Sequence, residues 1–193
     1  MAHTTLGNVY KRVAFITGGC RSGKSRFALE LANRHYQQKI FIATCQDMDP
    51  EMAKRIRQHK EQRGLDWKTL EIPIALPDAL VSPDNKGGVI LVDCLTLWVN
   101  NLLAEDLSED ETLKRVGVLV SAITETSSSV IIVSNEVGTG IVPEHKLARV
   151  FRDIIGFANQ RLASVADTVV WMVAGIGIPI KGVLELDESK TES

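Results

Sequence analysis

Gly18-Gly19-Cys20-Arg21-Ser22-Gly23-Lys24-Ser25 follows directly on the apolar run Val13-Ala14-Phe15-Ile16-Thr17, and together they set the architecture of this chain. The octapeptide fits the pattern G-x-x-x-x-G-K-[ST]. In that pattern glycines let backbone N–H groups wrap a phosphate chain, the lysine reaches the outer phosphates and the hydroxyl can bind Mg²⁺. Lys24 and Ser25 take the last two places. The pattern requires a strand before it and a helix after it. Val13 to Thr17 predicts the strand, and Arg26 to Tyr36 predicts the helix, with Phe27, Ala28, Leu31 and Ala32 on one face. Loop amides and the positive end of the helix dipole then point at the same anion, which makes this a nucleotide site by default.

Outward from the loop, similar β-branched runs recur at Lys39 to Thr44, Val89 to Asp93, Val130 to Ser134 and Thr168 to Val173. Near-continuous apolar strands separated by helical patterns predict a mostly parallel sheet with helices on both faces, an α/β fold of the P-loop NTPase kind. Trp67 to Ile72 alternates more and predicts an edge strand closed by Pro73 and Pro77. Helices are predicted over Leu95 to Ala104, over Glu109 to Thr126 after the cap Ser108, and over Pro143 to Ala166. The last carries Leu147, Val150, Phe151, Ile154, Ile155, Ala158, Leu162 and Val165 on one stripe.

A chain of 193 residues favours one domain, able to bury about 70% of its unfolded surface. We expect residues 1–193 to form that single unit, with residues 1–11 and 187–193 as flexible tails. The 22 Lys and Arg are dispersed and outnumbered by 24 acids, so nucleic acid is not an expected partner. Cys20, Cys45 and Cys94 lack C-x-x-C spacing, which argues against a disulfide framework or a zinc knuckle and for a reducing compartment. The first residues carry no apolar signal-peptide core. The longest apolar run, Val169 to Ile180, is too short and too rich in Gly and Pro to cross a membrane. A cytoplasmic protein without a transmembrane segment is expected.

In an open α/β sheet, ligands sit outside the carboxyl ends of the strands. The segments leaving those ends are the phosphate loop, Thr44-Cys45-Gln46-Asp47, Asp93-Cys94, Ser134-Asn135-Glu136 and Gly175-Ile176-Gly177. Asp93 is placed where P-loop enzymes put the carboxylate that serves Mg²⁺, though it also suits the N-cap of the helix from Leu95. Glu136 can order water or a substrate hydroxyl, or can simply belong to a turn with Asn135 and Gly138. Asn135-Glu136-Val137-Gly138 does not match the guanine-reading N-K-x-D of GTPase switches.

The segment Asp49 to Arg63 predicts a helix, with Asp49 as N-cap, Pro50 at the first position and Glu51 in the first turn. Four-residue spacing puts Arg55, His59 and Arg63 on one stripe. Two flanking guanidiniums disfavour the imidazolium, keep His59 neutral and nucleophilic, and can grip phosphate oxygens. Attack of His59 on phosphorus, giving a covalent phosphoramidate, is one reading. A solvated charged helix is the other.

Taken together, Gly18 to Ser25, Ile42-Ala43-Thr44, Glu51-Met52 with Arg55-Ile56, His59 and Arg63, Trp67 with Thr69 and Glu71, Asp93-Cys94-Leu95-Thr96-Leu97-Trp98, Asn135 to Gly138 with Gly140 to Pro143, and Arg152-Asp153 with Gly156 and Asn159-Gln160 resemble a known family. It is the bifunctional adenosylcobinamide kinase/adenosylcobinamide-phosphate guanylyltransferase family of cobalamin biosynthesis, and the likeness runs from about Val13 to Lys181. The resemblance implies a RecA-like P-loop fold, Mg²⁺ as cofactor, GTP and ATP as nucleotide substrates, a corrinoid as second substrate and association of subunits into a homo-oligomer. It implies phosphorylation of adenosylcobinamide, then transfer of GMP from GTP through a guanylyl-histidine at His59. Nucleotide contacts carry over to Gly18, Gly19, Cys20, Arg21, Ser22, Gly23, Lys24 and Ser25, to Ala43, Thr44 and Cys45, to Lys60, Glu61, Gln62 and Arg63, and to Glu71 and Asp93. Arg55 and Arg63 remain the phosphate clamp, and Ser25 and Asp93 the metal side. Where some members carry two adjacent histidines, Gln58 precedes His59 here, which leaves one candidate nucleophile. The alternatives are a P-loop kinase of another small alcohol, and a nucleotide-gated binding protein without covalent chemistry.

Overall fold

The computed structural model describes residues 11–45 and 66–183. Among them, seven strands form one sheet: β1 (Val13–Gly18), β2 (Lys39–Ala43), β3 (Trp67–Glu71), β4 (Val89–Asp93), β5 (Ser129–Asn135), β6 (Thr168–Val173) and β7 (Ile176–Lys181). The order is β3-β2-β4-β5-β1-β6-β7. Every pairing is parallel except that of β6 with β7. The helices are α1 (Lys24–His35), α2 (Leu76–Val81), α3 (Leu95–Ala104), α4 (Glu109–Glu125) and α5 (Lys146–Val165).

Both faces of the central strands are dry, which is why their sequences read as unbroken apolar runs. Ile16, Phe41, Leu91, Ile131, Val133, Val170 and Met172 face Ala28, Leu29 and Ala32 of α1. On the other face Phe15, Ile42, Ile90, Val92, Val130 and Ile132 meet Leu80 of α2, Trp98 and Leu102 of α3, Leu119 and Ile123 of α4, and Ile155 and Leu162 of α5. Each fully buried Leu or Ile contributes about 1.5–3 kcal/mol, so this second layer carries most of the burial. α4 opens on a capping box, Ser108 accepting from the Glu111 amide and Glu111 accepting from the Ser108 amide, as Ser108 predicts.

Three boundaries differ from the sequence reading. The expected rim segment Gly175-Ile176-Gly177 is the start of an antiparallel strand: Ala174 (φ 50°) and Gly175 (φ 86°) form a two-residue hairpin turn from β6 into β7. Positive φ at both central positions matches the twist of the flanking strands. Pro77, read as a strand terminator, lies in the first turn of α2, where proline costs no hydrogen bond. The long helix begins at Lys146 rather than Pro143, with His145 in extended backbone as its cap, and the Arg149 guanidinium donates back to the carbonyls of Pro143 and Glu144. β3 stands at the sheet's edge, as its alternation predicts. No helix among the described residues is long and apolar enough to cross a membrane.

Candidate active site

The phosphate loop needs glycine at two points for separate reasons. A Cβ on Gly18 would sit 2.4 Å from the Met172 carbonyl oxygen of β6, so only glycine lets the strands stay paired there. Gly23 adopts φ 95° as the cap of α1, a left-handed conformation that side chains disfavour. Its carbonyl accepts from the Phe27 amide at 3.0 Å, so the helix continues out of the loop without a break. The loop is braced from outside as well. The Glu136 amide donates to the Gly18 carbonyl at 3.0 Å, and the Gly175 amide of the hairpin turn donates to the Ser22 carbonyl at 3.0 Å.

Lys24 opens α1 and is only 7% exposed. Its Nζ donates to the Gly19 carbonyl and more weakly to Ser22 Oγ, which aims the ammonium back across the loop. Burial lowers its pKa, and the Asp93 carboxylate opposes that shift. The Cys94 thiol is pushed up to about 12 by burial and by Asp93, and so stays protonated at neutral pH. Asp93 therefore supplies standing negative charge near Lys24.

The remaining rim residues are held by a buried polar scaffold. Thr44, fully buried at the exit of β2, donates through Oγ1 to the Cys94 carbonyl at 2.7 Å and accepts from the Cys94 amide at 2.8 Å. Asn101 of α3 donates to the Thr44 carbonyl at 2.7 Å and to the Pro73 carbonyl at 3.1 Å. Ala43 pairs in register with Asp93 on one side and Glu71 on the other, so three candidate residues end three adjacent strands. Cys45 follows, half-buried. Across the gap, Ser134 Oγ donates to Asn159 Oδ1 at 2.7 Å, and Thr96 Oγ1 accepts from the Asn135 amide at 2.7 Å.

The local geometry bears on two alternatives that the sequence offers. The N-cap of α3 is Cys94 without a side-chain bond, so Asp93 is not its cap. Glu136 accepts from the Gly138 amide at 2.6 Å, so it closes a local turn. Gly18, Gly19, Cys20, Arg21, Ser22, Gly23, Lys24 and Ser25 stand on one rim with Ala43, Thr44, Cys45, Glu71 and Asp93. Arg55, His59, Lys60, Glu61, Gln62 and Arg63 lie outside the described residues. Sequence reasoning missed Asn101, and quoted Asn159 only as part of a motif without giving it a role. The available signal was an amide on otherwise apolar helical stripes, which demands a buried partner.

Comparison with known proteins then places the chain. A family profile described as "Cobinamide kinase / cobinamide phosphate guanyltransferase" matches residues 14–180. The "Bifunctional adenosylcobalamin biosynthesis protein CobU" of Salmonella typhimurium is 43% identical over 179 residues, covering 86% of this chain and 98% of that protein. The "Bifunctional adenosylcobalamin biosynthesis protein CobP" of Pseudomonas aeruginosa is 42% identical over 167 residues, covering 86% and 96%. Among solved structures, a protein from Pyrococcus horikoshii superposes with TM-score 0.50 at 10% identity, covering 90% of this chain and 88% of its own. That likeness concerns the fold alone.

Proposed function

The chain belongs to the cobinamide kinase / cobinamide phosphate guanyltransferase family, and from that premise we propose that its single domain phosphorylates adenosylcobinamide with ATP or GTP and then guanylylates the product through His59. The observation that carries this reading is the buried Lys24 within a braced phosphate loop, on the same rim as the carboxylate that ends β4. In the first reaction the substrate hydroxyl oxygen attacks the γ-phosphorus and gives its proton to water, the bond to the β-phosphate oxygen breaks, and the nucleoside diphosphate leaves. In the second, a neutral nitrogen of His59 attacks the α-phosphorus of GTP and pyrophosphate leaves. A phosphate oxygen of adenosylcobinamide phosphate then attacks the same phosphorus, the P–N bond breaks and the imidazole is restored. Catalysis here is mostly positioning and charge stabilisation, the work of Lys24, the loop amides, Arg55 and Arg63.

Ser25 and Asp93 offer hard oxygen donors on the phosphate side of the site, and no group of three or more His, Cys, Asp or Glu forms a closed cage among the described residues. That donor set suits Mg²⁺, which binds through one or two protein oxygens and substrate phosphates and, when bound, neutralises phosphate charge. Incubation with Mg²⁺ and GTP labelled at the α-phosphate tests the covalent step. An acid-labile, alkali-stable protein adduct is the expected result, and its absence overturns the reading.

Glu71 is the guanine reader in this reading, its carboxylate accepting from the ring N–H and exocyclic amine. Its place beside Ala43 at the exposed end of β3 supports that role. Glu71→Gln is expected to cut discrimination of GTP over ITP about tenfold, since a hydrogen bond to a charged group is lost. Equal discrimination by the variant removes Glu71 from the role. We also read the enzyme as a cytoplasmic homo-oligomer. Trp171, Val173, Ile176 and Ile178 pair across β6 and β7 on one exposed apolar face, and that face supports association. Ile178→Glu is expected to lower the mass measured by light scattering to that of the monomer, and an unchanged mass places the contact elsewhere.

A further inference from the structure

Among the described residues, two buried side-chain polar atoms lack a hydrogen-bond partner, Thr17 Oγ1 and Arg152 Nη1. Native proteins leave few such groups, and a guanidinium N–H stripped of water without an acceptor is costly. Both stand on the same side of the sheet. Thr17 is the last residue of β1 before Gly18, is 8% exposed, and is in register with Ser134 of β5. Ser134 is bonded to Asn159 of α5, whose Nδ2 also donates to the Asn135 carbonyl at 3.3 Å. Arg152 precedes Asn159 by seven residues, two turns earlier on the same helical stripe, about 10 Å along the axis. Because Asn159 already meets the carboxyl end of β5, and α5 runs on to β6 at the opposite edge, Arg152 stands above the rim.

Its position also separates it from the triphosphate. α1, whose first turn carries Lys24, packs against one face of the sheet, whereas α5 packs against the other. A cation held over the rim from the α5 side faces whatever approaches the nucleotide from that direction. The planar fork of Arg matches a phosphate monoester, which offers two or more oxygens and a charge near −2. We propose that Arg152 is a substrate-positioning residue that anchors the phosphate of the acceptor, the phosphorylated corrinoid, for guanylyl transfer. The assignment rests on the reading of the site given above. It supplies what that reading lacks: a group that distinguishes the phosphorylated acceptor from the alcohol consumed in the first reaction.

Two half-reactions and a binding measurement test it. With Arg152→Gln, labelling of the protein by α-labelled GTP is expected at the wild-type rate, while KM for adenosylcobinamide phosphate rises 10-fold or more. Arg152→Lys should recover part of that loss, because a point charge remains without the fork. A lost packing role alone would not split the two half-reactions. Unchanged transfer kinetics in Arg152→Gln overturns the proposal, and so does a parallel loss of labelling, which would put Arg152 on the nucleotide. Calorimetry with phosphorylated and unphosphorylated acceptor reads the same residue without the histidine chemistry. If wild-type protein forms no adduct, the covalent reading fails by itself. Loss of the preference for the phosphorylated acceptor in Arg152→Gln would still sustain the anchor, and an intact preference would remove it.

Discussion

Lys24→Ala is expected to silence both reactions, lowering kcat/KM for phosphorylation and for guanylyl transfer by about 10²- to 10³-fold each. The reason is that one ammonium serves one loop. Lys24 is almost fully buried, its Nζ is turned back onto Gly19 and Ser22, and negative potential from Asp93 keeps it company. A triphosphate held in residues 18–25 exchanges those internal bonds for bonds to anionic oxygens, in which both partners are charged. The fold should not suffer. Burial lowers the pKa of Lys24, so the charged form is penalised in the folded state. Truncation removes that penalty, and thermal unfolding of Lys24→Ala is expected at or above the wild-type temperature. Lys24→Arg should not rescue activity, since a planar fork cannot replace a compact ammonium inside the loop. Measuring both reactions on one preparation decides the matter: guanylyl transfer at the wild-type rate in Lys24→Ala would show that the loop is not a shared site.

The parts of this site that were legible in the sequence are those whose physics is local. Gly18, Gly23, Lys24 and Ser25 belong to one contiguous segment, and the strands beside it are buried on both faces, so pattern and burial coincide. Asp93 could be placed because it ends an apolar run. The braces were illegible, because they join positions far apart: Thr44 reaches Cys94, Asn101 reaches Thr44 and Pro73, and Gly175 reaches Ser22. No periodicity encodes such pairs. The hairpin into β7 was hidden for another reason. Ala174 is not a residue that announces a positive-φ turn, and Pro179 within β7 reads against a strand, although an edge strand tolerates it. Arg152 was visible as part of a motif, and only burial without a partner gave it a chemical meaning.

His59→Asn is expected to abolish the covalent adduct and to reduce guanylyl transfer by at least about 10³-fold while phosphorylation of adenosylcobinamide continues. The split follows from what each reaction asks of the protein. Phosphorylation needs a positioned hydroxyl and a neutralised triphosphate, and neither demand calls for a nucleophilic side chain. Guanylyl transfer by double displacement also needs a nucleophile that leaves readily, and an imidazole nitrogen serves in both directions. The flanking Arg55 and Arg63 give the step a pH signature. On the helical spacing that the sequence predicts, two neighbouring cations would disfavour the imidazolium, whose ordinary pKa is about 6.5, so the neutral, reactive form is expected to persist at lower pH. The labelling rate is therefore expected to stay flat with falling pH past 6.5 and to drop only at more acidic values. Arg55→Gln removes one cation, raises that pKa, and should move the drop to higher pH as well as weakening GTP binding. A profile that moves the other way would mean that the guanidinium does not act on His59. An adduct that survives His59→Asn would place the nucleophile on another residue, and a kinase activity lost together with the adduct would join the two reactions at a single group that the loop alone does not provide.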